Sequence, residues 1–171
     1  MEFYRPTLLD PDKHQRDGFT SGERSLDEWL RRYARQNRRA NTAAVWVIAD
    51  RGHRVVCYTT LSMTSVDRSA SPAPLAKSAP KQVPALLVGR LATDTRVTGL
   101  GLATQMVKHI LATAAELNLK AACRAVVVTA LNPSSLSWWQ RFGFDPFDAE
   151  DSTNLDLYLL TKDIGATLAK L

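Results

Sequence analysis

The spacing of apolar residues divides the chain into runs with a strand-like period and runs with a helical period. Apolar runs bounded by Gly, Pro, Asn and Asp predict six β-strands, over residues 3–9, 43–49, 55–66, 84–93, 121–130 and 154–161. Helical spacing predicts three helices, over residues 25–40, 102–118 and 134–141. The order is strand, helix, strand hairpin, then strand–helix–strand–helix–strand, which indicates a mixed α+β fold.

The first predicted helix is amphipathic and strongly basic. Its apolar face repeats from Leu26 to Tyr33, and Ser25 with Glu28 three residues later matches a capping box. Between residues 24 and 39, six arginines stand against two acidic residues, and the whole chain carries a net charge of +5. This concentration indicates a phosphate-rich partner or an acidic protein surface, although a charge run can also be a solvated helix face.

The segment between the fourth strand and the second helix reads Arg-x-x-Gly-x-Gly, with Arg96, Gly99 and Gly101 at the fixed positions. A strand, a Gly-bearing turn and a helix N-terminus favour an anion site, because unpaired N–H groups and the helix dipole point at the ligand. The third glycine of a dinucleotide fingerprint is replaced by Thr104, and no P-loop Gly-Lys-Ser/Thr follows. Two glycines can also be ordinary turn chemistry, so the surrounding elements decide the interpretation.

A second signature follows the fifth strand, where Asn132 precedes the aromatic pair Trp138-Trp139 and then Gly143-Phe144. With the glycine turn, it resembles the GNAT superfamily of acyl-CoA-dependent N-acetyltransferases. The resemblance implies an α+β, three-layer GNAT-like fold. Its mixed, mostly antiparallel sheet contains a splayed parallel strand pair and has helices on both faces. The length favours a single domain over residues 1–171.

Three further segments resemble the toxin branch of this superfamily, found in type II toxin–antitoxin pairs. They are Phe19-x-x-Gly22, the Leu-Asp-Glu-Trp-Leu run at residues 26–30 and the Val-Gly-Arg-Leu-Ala run at residues 88–92. This resemblance implies that the protein acetylates the α-amine of aminoacyl-tRNA and so blocks translation. It also implies a ribbon-helix-helix antitoxin, DNA contact only through the antitoxin complex, a homodimer, a cytoplasmic location and no membrane.

The resemblance also implies site residues for acetyl-CoA. Pantetheine would enter between the strands at residues 84–93 and 121–130, and pair with the exposed strand edge. The thioester carbonyl would meet backbone N–H groups near the end of the first of these strands. The expected cofactor-binding residues are Leu91, Ala92, Thr93, Arg96, Val97, Thr98, Gly99, Leu100, Gly101, Leu102, Ala103 and Asn132. Asn132 can equally be a turn residue before Pro133. The expected RNA contacts are Arg31, Arg35, Arg38 and Arg39.

Trp139 departs from the toxin pattern, in which a tyrosine usually stands at this position and is thought to protonate the departing CoA thiolate. An indole N–H is far too weak an acid for that role, so Trp139 is interpreted mainly as a packing residue. Three outcomes stay open. Ser134, Ser135, Tyr158 or a water could supply the proton, the thiolate could leave unprotonated, or catalysis could be impaired.

Other functions also stay open at this stage. They are a small-molecule or peptide N-acetyltransferase, a non-catalytic protein that binds acyl-CoA or an antitoxin, and a nucleic-acid-binding module with an incidental glycine turn. Cys57 and Cys123 lie in apolar runs and are expected to be reduced core thiols. The three histidines are scattered, so no metal site is expected. No apolar stretch approaches the roughly 20 residues of a transmembrane helix.

Overall fold

The computed structural model describes all 171 residues. Its strands are β1 (Thr7–Leu8), β2 (Ala44–Ala49), β3 (Val55–Asp67), β4 (Gln82–Thr93), β5 (Ala125–Thr129), β6 (Asp145–Pro146) and β7 (Asp156–Leu160). Its helices are α1 (Arg24–Arg32), α2 (Ala34–Arg39), α3 (Ala73–Ala76), α4 (Leu102–Lys120), α5 (Pro133–Gln140) and α6 (Ile164–Leu168). Short 3₁₀ turns cover Arg68–Ala70, Thr95–Val97 and Thr161–Asp163.

The strands form one seven-stranded sheet in the order β1-β2-β3-β4-β5-β7-β6. The pairs β1–β2, β2–β3, β5–β7 and β6–β7 are antiparallel, whereas β4 and β5 are parallel. The parallel ladder joins Ala85–Val88 to Ala125–Val128, and β4 then continues to Thr93 beyond the last registered pair. A mixed sheet with one parallel pair confirms the predicted fold class.

The chain divides into two compact units, Met1–Ser62 with Gly89–His109 and Met63–Val88 with Ile110–Leu171. The core of the first unit packs α1 against strands β2 to β4 around the buried ring of Tyr58, whose hydroxyl donates to the Leu26 carbonyl at 2.7 Å. The core of the second unit packs α3 beside β4, β5 and β7, with Leu75 fully buried.

The first helix differs from its prediction in two ways. It ends at Arg32, because the φ of Tyr33 (−113°) departs from the helical value, and α2 then starts at Ala34. The predicted capping box at Ser25 is wrong: the N-cap is Glu23, which makes no side-chain cap bond. Ser21 instead donates its N–H and its hydroxyl to the Asp27 carboxylate, at 2.9 and 2.6 Å. The carboxylate that fixes the helix start is therefore buried Asp27 rather than Glu28.

Several short elements were not predicted. The expected loop at 67–84 contains a 3₁₀ turn and helix α3, and β4 begins inside it at Gln82. The two-residue strand β6 and the C-terminal helix α6 carry too few residues for a periodic signal. The first strand is shorter than expected, with Phe3 joined to Asp50 only through an isolated bridge. No helix in the structure is both long enough and apolar enough to cross a membrane.

Candidate functional site

The glycine turn leads directly into the longest helix of the protein. Gly99 and Gly101 have φ of +84° and +79°, a backbone region that side chains with a Cβ rarely adopt. A Cβ at either position would meet no atom within 4 Å, so the space in front of both glycines is open. The Gln105 N–H donates to the Gly101 carbonyl at 3.0 Å and closes the first turn of α4, which starts at Leu102. The N–H groups before this bond lie at the positive end of the helix dipole.

Arg96 has a structural partner that the sequence analysis did not identify. Its Nε and Nη2 donate to the two oxygens of Asp94 at 2.8 and 2.7 Å, and Nη2 also donates to the Gly18 carbonyl at 3.1 Å. Asp94 is fully buried and also accepts from the N–H groups of Thr20 and Arg96, at 3.1 and 2.9 Å. These bonds tie the loop before α1 to the glycine turn.

This ion pair sets the charge of both groups. Burial alone would raise the pKa of Asp94, but the hydrogen bonds from Arg96 and Thr20 outweigh it and hold that pKa below its ordinary value. The bond to Asp94 raises the pKa of Arg96 above its ordinary value. Arg96 is therefore always charged, and the adjacent carboxylate offsets much of that charge at the turn. Its side chain is still 55% exposed.

The end of β4 is fixed from the β3 side. The Thr59 hydroxyl donates to the Arg90 carbonyl at 2.6 Å, and the Asp94 N–H donates to the Val56 carbonyl at 2.8 Å. Thr93 donates to the buried thiol of Cys57 at 3.5 Å, and burial raises the pKa of this thiol to about 12. The expected free, buried state of both cysteines is confirmed.

Asn132 is the N-cap of α5. Its Oδ1 accepts from the Ser135 N–H at 2.8 Å, so the side chain serves the helix start. This bond uses the oxygen and leaves the Nδ2 amide group, on an exposed residue, as the part that can meet a ligand.

Trp139 is packed within an aromatic cluster. It is 5% exposed, and its ring lies edge-on to Trp138 at 5.1 Å and to Phe144 at 5.0 Å. Tyr158, one of the alternative proton donors, belongs to the core of the second unit, and burial raises its pKa. Ser134 is exposed at the start of α5, and Ser135 is half-buried. The packing interpretation of Trp139 thus agrees with its surroundings.

The basic helix pair presents a cavity of about 390 Å³, lined by Arg32, Arg35, Gln36, Arg39 and Ala40. Arg38 is also exposed but lies outside this lining. Arg31 points elsewhere, because its Nη1 donates to the Phe19 carbonyl at 3.3 Å. The structure therefore groups Arg32 with the predicted RNA contacts, and assigns Arg31 a bond within the protein.

Residues 9–144 match the profile of the acetyltransferase (GNAT) family. This chain belongs to the GNAT acetyltransferase family. A tRNA-acetylating toxin of Mycobacterium tuberculosis (strain ATCC 25618 / H37Rv) is 30% identical to it over 150 residues, 88% of each chain. The glycine turn, the parallel strand pair and the capped helix α5 are thus elements of a GNAT protein, as the sequence resemblance implied.

Solved structures share the fold of this GNAT chain. One is AtaT complexed with acetyl-methionyl-tRNAfMet, with a TM-score of 0.87 and 24% identity, covering 96% of this chain and 98% of AtaT. Another is a tyrosine-to-phenylalanine variant of the AtaT toxin bound to the C-terminus of the antitoxin AtaR and to acetyl-CoA. Its TM-score is 0.81 at 23% identity, and 97% of each chain is covered.

Two features of this GNAT chain lay outside the sequence reasoning. Arg32 was missed, although it stands three and seven residues before Arg35 and Arg39, a spacing that puts all three on one helix face. The pairing of Arg96 with Asp94 could have been suspected from the two-residue spacing of opposite charges just before the glycine turn.

No three His, Cys, Asp or Glu side chains come together as a group able to hold a metal ion.

Proposed function

We propose that this protein transfers the acetyl group of acetyl-CoA to the α-amine of aminoacyl-tRNA and thereby blocks translation. The family membership supports the acetyl transfer, and the M. tuberculosis relative, a tRNA-acetylating toxin, supports the acceptor. The observation that carries the proposal is the open glycine turn at the start of α4, where Gly99 and Gly101 leave room for a pyrophosphate.

The glycine turn is the pyrophosphate site in this proposal. The N–H groups of Gly99, Gly101, Leu102 and Ala103 supply the main-chain donors, whereas those of Val97, Thr98 and Leu100 donate to carbonyls within the turn. The α4 dipole adds partial positive charge. Arg96 acts chiefly by holding the turn in shape through Asp94, and its exposed edge remains available to the anion. Asn132 contributes its Nδ2 amide to the pantetheine arm. Bound acetyl-CoA supplies the activated acetyl group, and the protein's own contribution is to hold and polarise it.

Backbone N–H groups near Leu91, Ala92 and Thr93 donate to the thioester oxygen, and stabilise the negative charge that develops there during attack. Their positions are well fixed, because Thr59 and Val56 bind the main chain on either side of this segment. The acceptor amine attacks in its neutral form, and an aminoacyl ester lowers the pKa of its α-amine. Trp139 supports α5 by packing, and donates no proton in this scheme.

The arginines of α1 and α2 are the RNA contacts in this proposal. Arg35 and Arg39 line the basic cavity together with Arg32, and exposed Arg38 extends the same positive surface. Such contacts bind phosphates without reading bases, so they position the tRNA rather than identify it.

The biological setting follows from the same proposal. The protein acts as the toxin of a type II pair with a ribbon-helix-helix antitoxin. It contacts DNA only through the antitoxin complex, and it works in the cytoplasm as a homodimer. One acetyltransferase domain spans residues 1–171 in this proposal, and the family match at residues 9–144 lies within it.

The test is acetyl transfer by the purified protein from radiolabelled acetyl-CoA to a mixed aminoacyl-tRNA pool. Label is expected in the charged tRNA, and none in the same tRNA after deacylation. Label only in free amines or peptides would favour a small-molecule or peptide acetyltransferase instead. Absence of CoA thiol release with every acceptor would favour a non-catalytic binding protein.

The cofactor site is tested by Gly101→Val, which places a branched side chain where the pyrophosphate is proposed to lie. Acetyl-CoA affinity by calorimetry is expected to fall at least tenfold. Gly22→Val is the matched control, because Gly22 also has a positive φ (+91°) and open space around its Cβ position. Unchanged affinity in Gly101→Val, or an equal loss in both variants, contradicts the assignment.

A further inference from the structure

Arg90 is a partly accessible residue of an interior strand. It belongs to β4, the fourth of seven strands, where an interior strand is ordinarily covered on both faces. Here Gly89 is exposed, and Arg90 and Leu91 are half-buried, although Val88 and Ala92 on either side are buried. The accessible stretch directly adjoins the N–H groups proposed to bind the thioester oxygen.

The Arg90 side chain is held in a fixed place. Its guanidinium carbon lies 4.2 Å from the centre of the Trp29 ring, which itself stacks on Tyr58 at 6.1 Å. Alternation along the strand puts Arg90 on the same face as Ala92, which packs in the core with α1. The cation is therefore fixed on the face of β4 that carries the arginine helices.

No carboxylate is bonded to this cation. Its titratable neighbour is Tyr58 on β3, whose raised pKa keeps it neutral, and Asp27 on α1 is in turn a charged neighbour of Tyr58. Asp27 is engaged by the N–H and hydroxyl of Ser21. Burial lowers the pKa of Arg90, which agrees with an uncompensated positive charge inside the protein.

We propose that the positive charge of Arg90 keeps the acceptor amine neutral in the bound complex, and so replaces a general base. This inference rests on the proposed function. The attacking nitrogen must come within about 3–3.5 Å of the thioester carbon, which brings it close to the β4 backbone at Leu91. An ammonium there would be repelled by Arg90, whereas the neutral amine would not.

The size of the effect follows from Coulomb's law. Two like charges about 8 Å apart at an effective dielectric constant near 20 shift a pKa by roughly 1.5 units, and screening by salt at a partly exposed site lowers the shift to about one unit. The bound amine therefore loses its proton about one pH unit lower than it would without Arg90. In the reaction the neutral amine nitrogen bonds to the acetyl carbon, the carbon–sulfur bond breaks, and the proton released from nitrogen passes to solvent as the thiolate leaves.

The test is the pH dependence of the single-turnover rate of transfer to aminoacyl-tRNA, at saturating acetyl-CoA. Such rates report the protonation state of the bound complex. Arg90→Gln is expected to move the rising part of the pH–rate profile (its acid limb) about one pH unit higher, so that the rate falls about tenfold on the acid side and recovers at higher pH. Arg90→Lys keeps the charge, and its acid limb is expected to stay where it is in the wild type.

Controls separate this inference from the proposed function. Arg5→Gln removes one exposed charge elsewhere and is expected to leave the limb unmoved. Acetyl-CoA affinity and circular dichroism monitor the folding of each variant. If Arg90→Gln only weakens tRNA binding and the limb stays in place, Arg90 is a phosphate contact and the inference is wrong. If the wild-type protein acetylates no aminoacyl-tRNA, the proposed function itself has failed.

Discussion

Replacement of Asp94 by asparagine tests whether the loop before α1 and the glycine turn are joined by the buried carboxylate. Oδ1 of Asp94 accepts from the N–H and Nε of Arg96, and Oδ2 accepts from Thr20 N–H and Arg96 Nη2. Asparagine can keep the two bonds at Oδ1. Its amide nitrogen would then face two donors at the other position, where no hydrogen bond is possible.

The expected cost follows from these lost bonds. A buried donor that loses its acceptor costs about 1–3 kcal/mol, and hydrogen bonds to charged groups lie toward the upper end of that range. Arg96 is 55% exposed, so water recovers most of the loss on its side. The remaining loss, mainly at the Thr20 N–H, predicts that Asp94→Asn lowers the free energy of unfolding by about 2 kcal/mol at pH 7.

The difference in unfolding free energy between the wild type and Asp94→Asn should depend on pH in a defined direction. The pKa of Asp94 is lower in the folded protein than in the unfolded chain, where an Asp titrates near 3.9. Its contribution is therefore complete above about pH 4, and disappears as the pH falls through the folded pKa. The gap between wild type and Asp94→Asn should be largest at neutral pH and shrink in acid.

Urea denaturation at pH 7 and at two acid pH values measures this gap. Asp17→Asn is the control, because Asp17 is exposed on the same loop. A difference below about 0.5 kcal/mol at pH 7, or one that grows toward acid pH, would refute the assignment of Asp94 as the residue that joins the two segments.

Two further predictions concern the acceptor and the thiolate. Arg35→Glu with Arg38→Glu should weaken tRNA binding and lower the slope of log affinity against log salt by one to two units, with acetyl-CoA binding unchanged. Anisotropy titrations in increasing KCl measure this, and equal affinity in the double variant would contradict an RNA contact. Trp139→Phe should change the single-turnover rate little, and Trp139→Tyr should keep or raise it. A loss above a hundredfold in a folded Trp139→Phe, about 2.7 kcal/mol, would mean that the indole takes part in the transition state.

The glycine turn could be predicted from sequence because all of its determinants are local. Gly99 and Gly101 each occupy a backbone conformation that few other residues adopt, and an apolar strand and a long periodic helix flank them within a few residues. The parallel pairing of β4 with β5 also followed, because a strand–helix–strand order with a buried Val-rich second strand favours it.

The start and end of the first helix depended on tertiary partners, so sequence reasoning placed them wrongly. Ser25 and Glu28 have capping-box spacing, but Asp27 is bound by Ser21, which sets the helix start four residues before Asp27, at N-cap Glu23. The break at Tyr33 has no Pro or Gly to announce it. Such choices between near-equal local conformations are decided by packing, which a periodic pattern does not encode.

Two proton transfers of the proposed reaction lack an obvious side chain: residue 139 offers no acidic donor, and the amine is met by the cation of Arg90 rather than by a base. Attack by an ammonium requires a base to remove a proton before the bond forms, and an acid to return one to sulfur afterwards. If the field of Arg90 already favours the neutral amine, the first of these groups is unnecessary. A free thiol has a pKa near 8.5, so the CoA thiolate is a stable leaving group near neutral pH. An acid that protonates the sulfur would therefore lower the barrier little. Trp139 can then be selected for packing against Trp138 and Phe144 without loss of the chemistry.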